Sequence, residues 1–258
     1  MIEAILFDLD ETLILDEPVV RSAFFHTAIT VTRDSQKAQN LAHAAENHAR
    51  HYWKNLPPLA LEYANRIGHS ALEGLWADYN PQLEPERILH QEMQRIRVLA
   101  WADALEETDL AGDAVELSER WMALRSRYPL YPDADKLLAN LFQRYKLGIV
   151  TNGVAGLQRK KWHGSGLETW FDAVAISGEV GIGKPEKGIF EWIAKELAVP
   201  LENCVMVGDN PDRDVQGGIN AGMKTVWLDR GFKPKTVSAD LECQELLEIL
   251  PWLEKLAS

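Results

Sequence analysis

Residues 2–12 read Ile-Glu-Ala-Ile-Leu-Phe-Asp-Leu-Asp-Glu-Thr. A short apolar run rich in β-formers, closed by acids, is the pattern of a strand buried on both faces. Such a strand belongs to a parallel sheet and needs neighbours. The long stretch that follows supplies none. From Glu17 to Arg127 the chain is rich in Ala, Leu, Glu, Gln and Arg, and its apolar residues recur at helical spacing. Asn55-Leu56-Pro57-Pro58 and Asn80-Pro81 break it into several helices.

Strand and helix alternate only after Tyr131. The pattern predicts a helix opened by Pro132, with Leu137, Leu138, Leu141 and Phe142 on its apolar face, and then a strand over 147–151. Next come a helix over 155–163, a strand over 173–176, a helix over 187–197 and a strand over 204–207. A helix over 212–221, a strand over 224–228 and a short helix within 243–256 complete the chain. This alternation implies right-handed crossovers and a parallel sheet covered on both faces. The first strand should join that sheet. The expected fold is therefore α/β: a Rossmann-like, three-layer core of residues 1–15 and 129–258, with residues 16–128 inserted as an α-helical cap above the carboxyl ends of the strands. Open α/β sheets bind ligands at those ends.

The composition narrows the function classes. The 258 residues carry a net charge of −12, which argues against nucleic acid as a partner, because phosphate backbones are bound by clustered Lys and Arg. A small phosphorylated metabolite remains open, since one metal ion and one lysine can set a local positive field. The two cysteines, Cys204 and Cys243, do not suggest a disulfide framework. Acids interrupt the N-terminal apolar run too early for a signal peptide, and no run approaches the ~18 apolar residues of a membrane helix. The expectation is a cytoplasmic protein, monomer or homodimer, with no membrane partner.

Four short motifs carry chemistry. Asp8-Leu9-Asp10 closes the first strand, and alternation puts the two acids on one side and Leu9 on the other. Carboxylates so close repel each other, and a divalent cation or a shared proton would compensate. The plainer reading is a solvated acidic turn. Gly208-Asp209-Asn210-Pro211-Asp212-Arg213-Asp214 follows the 204–207 strand, and Asp209 stands where that strand stops, as Asp8 does. Two strand-end carboxylates with backbone carbonyls and water make an oxygen-rich site suited to Mg²⁺. Asp212 reads as a helix cap or first-turn acid. Thr151-Asn152-Gly153 ends the 147–151 strand with a hydroxyl, an amide and free N–H groups that could hold phosphate oxygens, or form an ordinary turn. Lys184, between Gly183 and Pro185, reads by itself as a surface loop residue.

The ordered set Asp8-Leu9-Asp10-Glu11-Thr12, Thr151-Asn152-Gly153, Lys184-Pro185 and Gly208-Asp209 with Asp214 resembles the haloacid dehalogenase superfamily of hydrolases. The likeness is to its phosphatases with a helical cap after the first motif. Ser177-Gly178-Glu179 and the run Val205 to Gly222 resemble the branch of N-acylneuraminate-9-phosphatase and the pyrimidine nucleotidases.

The resemblance implies a Mg²⁺-dependent phosphatase acting on a sugar phosphate, a nucleoside monophosphate or a similar small monoester. It implies Asp8 as nucleophile and Asp10 as general acid and then base. Asp8, Asp209 and the backbone carbonyl of Asp10 would hold Mg²⁺. Thr151 and Lys184, with the N–H groups of Leu9 and Asn152, would bind the phosphoryl oxygens, and Asp214 would support Lys184 or a metal-bound water. Asp10 and Asp209 together favour phosphoryl transfer over dehalogenation. A phosphomutase shares these motifs, and a catalytically silent binding module shares the fold. Arg21, His26, His51, Trp53, Lys54, Trp76 and Trp101 of the cap could touch a leaving group, but aromatics at helical spacing read first as core. Arg159-Lys160-Lys161 reads first as a solvated basic face.

Overall fold

In the computed structural model, which describes residues 1–125 and 127–257, the apolar N-terminal run forms β1 (Ala4–Phe7), buried throughout. It pairs on one side with β2 (Lys146–Thr151) and, after β3 (Ala173–Ile176), on the other with β4 (Cys204–Gly208). Two further strands, β5 (Lys224–Leu228) and β6 (Leu241–Cys243), extend the sheet. The order is β3-β2-β1-β4-β5-β6, and every pairing is parallel. Chain direction along the sheet reverses beside β1, which opens a crevice outside the carboxyl ends of β1 and β4.

Period-two alternation distributes the strand residues between two apolar layers. Ile5, Phe7, Leu147, Ile149, Val205 and Val207 pack on one face, and Ala4, Leu6, Val150, Cys204 and Met206 on the other.

The chain divides into two compact units, Met1–Leu15 with Tyr128–Ser258 and Asp16–Arg127. The second is helical, and no strand occurs among its described residues. It holds α1 (Glu17–Ala28), α2 (Ser35–Lys54), α3 (Pro58–Arg66), α4 (Ala71–Gly74), α5 (Glu84–Glu107) and α6 (Ala114–Ala123). Local chemistry sets its boundaries. Asp34 accepts from the Gln36 and Lys37 amides at the start of α2, and Asp113 does the same for Val115 and Glu116 in α6. Prolines occupy the first turns of α1, α3 and α5, where no N–H is needed. Phe24 lies 5.7 Å from Trp101 and 5.1 Å from Trp121, ring centre to ring centre, in the middle of this unit.

The sheet unit adds α7 (Ala134–Leu141), α8 (Ala155–Ser165), α9 (Ser177–Val180), α10 (Lys187–Leu197), α11 (Gln216–Ala221) and α12 (Ile249–Ala257). Leu137, Leu138 and Leu141 of α7 and Ile249 and Leu253 of α12 cover one face, while Ile189, Phe190 and Ile193 of α10 cover the other. Where the chain leaves and re-enters this unit, Ile14 bridges Leu130. Leu15 N–H donates to the Pro129 carbonyl and Tyr131 N–H to the Leu13 carbonyl, both at 2.9 Å.

Four details depart from the sequence reading. α7 begins after Asp133 rather than at Pro132, and Phe142 lies beyond its end, 41% exposed. β6 extends the sheet beyond the five strands expected. α9 is a further short helix. The helix expected over 212–221 is split into a single wide π-helical turn over Pro211–Val215 and then α11.

Candidate active site

Each motif sits where the sheet stops. Asp8 follows β1, Asp209 follows β4, and Thr151 ends β2. Lys184 arrives on the loop between α9 and α10, ahead of a cis bond to Pro185. Its Nζ lies 2.6 Å from Asp8 Oδ1 and 2.6 Å from Asp214 Oδ1. Asp8, Asp209 and Asp214 each offer a carboxylate oxygen, all within 4.8 Å of one another, and all three residues are buried. A fourth buried group, Lys184, completes the cluster. Residues separated by most of the chain thus converge on one edge of the sheet.

The supporting contacts explain how that edge is held. Asn152 Oδ1 accepts from Lys184 N–H at 2.8 Å and its Nδ2 donates to the Lys184 carbonyl at 2.9 Å. The Asn152 side chain therefore clamps the lysine loop, which leaves only its backbone N–H for the phosphate contact expected of it. Trp227 Nε1 donates to the Asp209 carbonyl at 3.0 Å. Asn210, not Asp212, caps the wide turn, accepting from the Asp212 and Arg213 amides, and Asp212 is exposed. That turn returns Asp214 beneath the end of β4, where Asn210 N–H donates to its Oδ2 at 2.9 Å. A Cβ at Gly208 would overlap the Asp214 carboxyl, so this close approach requires glycine.

The electrostatics follow from the geometry. Burial pushes the Asp8 carboxyl up, the Lys184 ammonium pulls it down and Asp214 pushes it up again, leaving it at about 6. Burial first, then Asp8 and Asp214, hold Asp209 well above the ordinary carboxylate range. Burial works against the Lys184 ammonium, but Asp214 and Asp8 outweigh it and raise its pKa. Three buried carboxylates against one ammonium leave negative charge uncompensated. A hard divalent cation satisfies such an oxygen set, so the residues present fit Mg²⁺. Asp214, expected to support Lys184 or a metal-bound water, pairs with Lys184 and also stands within the carboxylate group.

Asp10 is placed differently from its neighbour. Its carboxyl is not one of the three clustered around Lys184 and instead has two donors from α8. Lys161 Nζ lies 2.7 Å from Oδ1, and Gln158 Nε2 donates to Oδ2 at 3.0 Å. The Gln158 amide also donates to Thr151 Oγ1 at 2.5 Å. Among the metal ligands expected, Asp10 therefore does not bring its carboxyl into the group of Asp8, Asp209 and Asp214. Leu9, as alternation requires, turns its side chain into the core, while its backbone N–H helps to lower the Asp8 carboxyl's pKa.

The reading of 159–161 as a solvated face needs correction. Arg159 is paired at the surface with Glu179, but Lys161 is completely buried. The signal was present in the sequence. Leu157 and Trp162 must face the core, and helical spacing puts Gln158 and Lys161 on the same stripe. In the helical unit, Trp53, Trp76 and Trp101 are core residues, and Arg21, His26, His51 and Lys54 are exposed.

No described helix is long and apolar enough to cross a membrane. The family model of the haloacid dehalogenase-like hydrolases matches residues 2–222. The chain is 40% identical over 252 residues to a phosphoserine phosphatase of Thermus thermophilus, covering 95% of this chain and 96% of that one. It is 34% identical over 183 residues to the pyrimidine 5'-nucleotidase YjjG of Escherichia coli, covering 67% and 77%. A solved HAD phosphatase of Thermococcus onnurineus superposes with a TM-score of 0.57 at 27% identity, covering 98% of each chain.

Proposed function

We propose that this chain, which belongs to the haloacid dehalogenase-like hydrolases, hydrolyses small phosphate monoesters through a phospho-aspartate formed on Asp8. The observation that carries the proposal is the Asp8–Lys184–Asp214 chain of ion pairs, with Asp209 beside it, at the carboxyl edge of a parallel sheet.

The chemistry proceeds in two displacements. An Asp8 carboxylate oxygen attacks phosphorus in line, the bond from phosphorus to the leaving oxygen breaks, and Asp10 gives its proton to that oxygen. Asp10, now ionised, takes a proton from water as the water oxygen attacks phosphorus. The bond from phosphorus to Asp8 breaks, and inorganic phosphate leaves with both aspartates restored. Lys184, Thr151 and the N–H groups of Leu9 and Asn152 bind the phosphoryl oxygens, where negative charge is greatest. Asp8, Asp209 and the Asp10 carbonyl would hold Mg²⁺. When bound, the ion supplies charge that screens the anionic nucleophile from the anionic phosphate.

The substrate is a small phosphomonoester. Sugar phosphates and nucleoside monophosphates fit the branch that the motifs resemble. O-phosphoserine joins them because a phosphoserine phosphatase is alike over nearly the whole chain. The test is a screen of these three classes and p-nitrophenyl phosphate, with Mg²⁺ and with EDTA. The expected result is release of free phosphate with Mg²⁺, its loss in EDTA, and at least a 10⁴-fold fall in Asp8→Asn, on the order of what removing a nucleophile costs. Equal turnover by the variant and the parent would end the proposal.

A further inference from the structure

Lys161 and Gln158 lie outside the four motifs quoted above, yet they are the two polar side chains of α8 that are wholly buried. Burying a lysine ammonium costs several kcal/mol unless a partner repays it. The partner here is Asp10, at 2.7 Å. Gln158 spends both its N–H donors on acceptors at the sheet edge, Asp10 Oδ2 and Thr151 Oγ1. Its carbonyl oxygen is buried without a hydrogen-bond partner. Such an orphaned acceptor is unfavourable, because it gives up its bond to water and gains none. The amide cannot turn over to relieve it without losing both acceptors at once.

Asp10 needs holding. It lies in the turn after β1, outside regular structure apart from its bridge to Ile14, and its side chain is 22% exposed. A carboxylate has two oxygens and about four acceptor positions. Lys161 engages one oxygen and Gln158 the other, both from one helical turn. The plane of the carboxyl is thereby fixed. Because Gln158 also holds the Thr151 hydroxyl, Asp10 is fixed relative to the residue that faces the phosphoryl group.

We propose that Lys161 and Gln158 are positioning residues that orient the Asp10 carboxyl toward the leaving-group oxygen and set its place relative to Thr151. This rests on the reading of Asp10 as the proton donor. It identifies which step the pair serves. An alkoxide leaves poorly without a proton, whereas p-nitrophenolate leaves without one. Misplacing Asp10 should therefore slow alkyl esters far more than p-nitrophenyl phosphate. Loss of stability alone would not separate the two substrates.

The test compares kcat/KM, which reports the steps up to loss of the leaving group and not the later hydrolysis of the phospho-aspartate, for p-nitrophenyl phosphate and for the alkyl monoester that the parent turns over fastest. In Lys161→Met, kcat/KM for the alkyl ester should fall about 10²-fold, the scale of misplaced proton transfer, while kcat/KM for p-nitrophenyl phosphate falls only about threefold. In an Asp10→Asn background, Lys161→Met should add no further loss. Gln158→Met should show the same selectivity, and it carries the test if Lys161→Met does not fold. Equal losses of kcat/KM on both esters, or an alkyl kcat/KM near the parent's, would overturn the inference while leaving the phospho-aspartate reading intact. A parent that hydrolyses neither ester, or an Asp8→Asn variant that hydrolyses both, would overturn both.

Discussion

Burial and charge pull Asp8 in opposite directions, and burial wins. Its pKa is 3.8 in an ordinary setting and about 6 here. The folded chain therefore holds the Asp8 proton more tightly than the unfolded chain does. Between those two values the folded state binds more protons, so the Asp8 contribution to stability falls as pH rises and is lost above about 6. Asp209 is shifted in the same direction and has the same sign. Without a cation the chain is thus destabilised at neutral pH by the carboxyls of the proposed site. Asp8→Asn should raise the melting temperature of the metal-free protein near pH 7.5, by the equivalent of about 1–3 kcal/mol. The gain should shrink as pH is lowered toward 4. Calorimetry of parent and variant across that range checks it. A variant that melts below the parent near pH 7.5 would mean that the Lys184 ion pair outweighs burial.

At the scale of elements, the site depends on how α9 seats the loop after β2. Gly178 N–H donates to the Gly153 carbonyl at 3.0 Å, and Gly153 N–H donates to Ser177 Oγ at 2.9 Å. A Cβ on Gly178 would lie 2.7 Å from the Gly153 oxygen and 2.8 Å from the Ala155 nitrogen, both backbone atoms with little freedom to give. Gly178→Ala should therefore push the 151–153 turn away and lower kcat/KM for phosphomonoesters at least tenfold. The overpacking should cost stability on the order of 1–3 kcal/mol. Steady-state kinetics and thermal melts would show both, and a variant with the parent's kinetics would contradict the seating role.

The same elements show what the sequence can and cannot tell. β1, β2, β4 and β5 were legible because parallel strands buried on both faces are continuous apolar runs. β6 was not, since Leu-Glu-Cys is only three residues long and lies at the sheet edge. α9 is a single turn, too short to show a period. Asp8, Lys184, Asp209 and Asp214 were legible as a set through the ordered motifs they sit in. Lys161 was missed for a different reason. Among three consecutive basic residues, exposure is the default reading, and only the flanking Leu157 and Trp162 show which one turns inward.

For the molecule as a whole, the helical unit interrupts the sheet unit without breaking its core. The chain leaves at Leu15 and returns at Tyr128, and the Ile14–Leu130 bridge joins the two crossings. β1 can therefore stand at the centre of a sheet whose other strands are encoded more than a hundred residues later. That arrangement delivers the Asp8 carboxylate to Lys184, which arrives from a distant loop. The central claim is that this carboxylate takes the phosphoryl group. It is tested most directly by quenching the enzyme in acid during steady turnover of its best monoester and mapping phosphoryl groups by peptide mass spectrometry. The account predicts a phosphorylated peptide whose modified residue is Asp8, formed with Mg²⁺ and absent from Asp8→Asn. Full turnover with no phosphorylated peptide, or a phosphoryl group on any other residue, would contradict it.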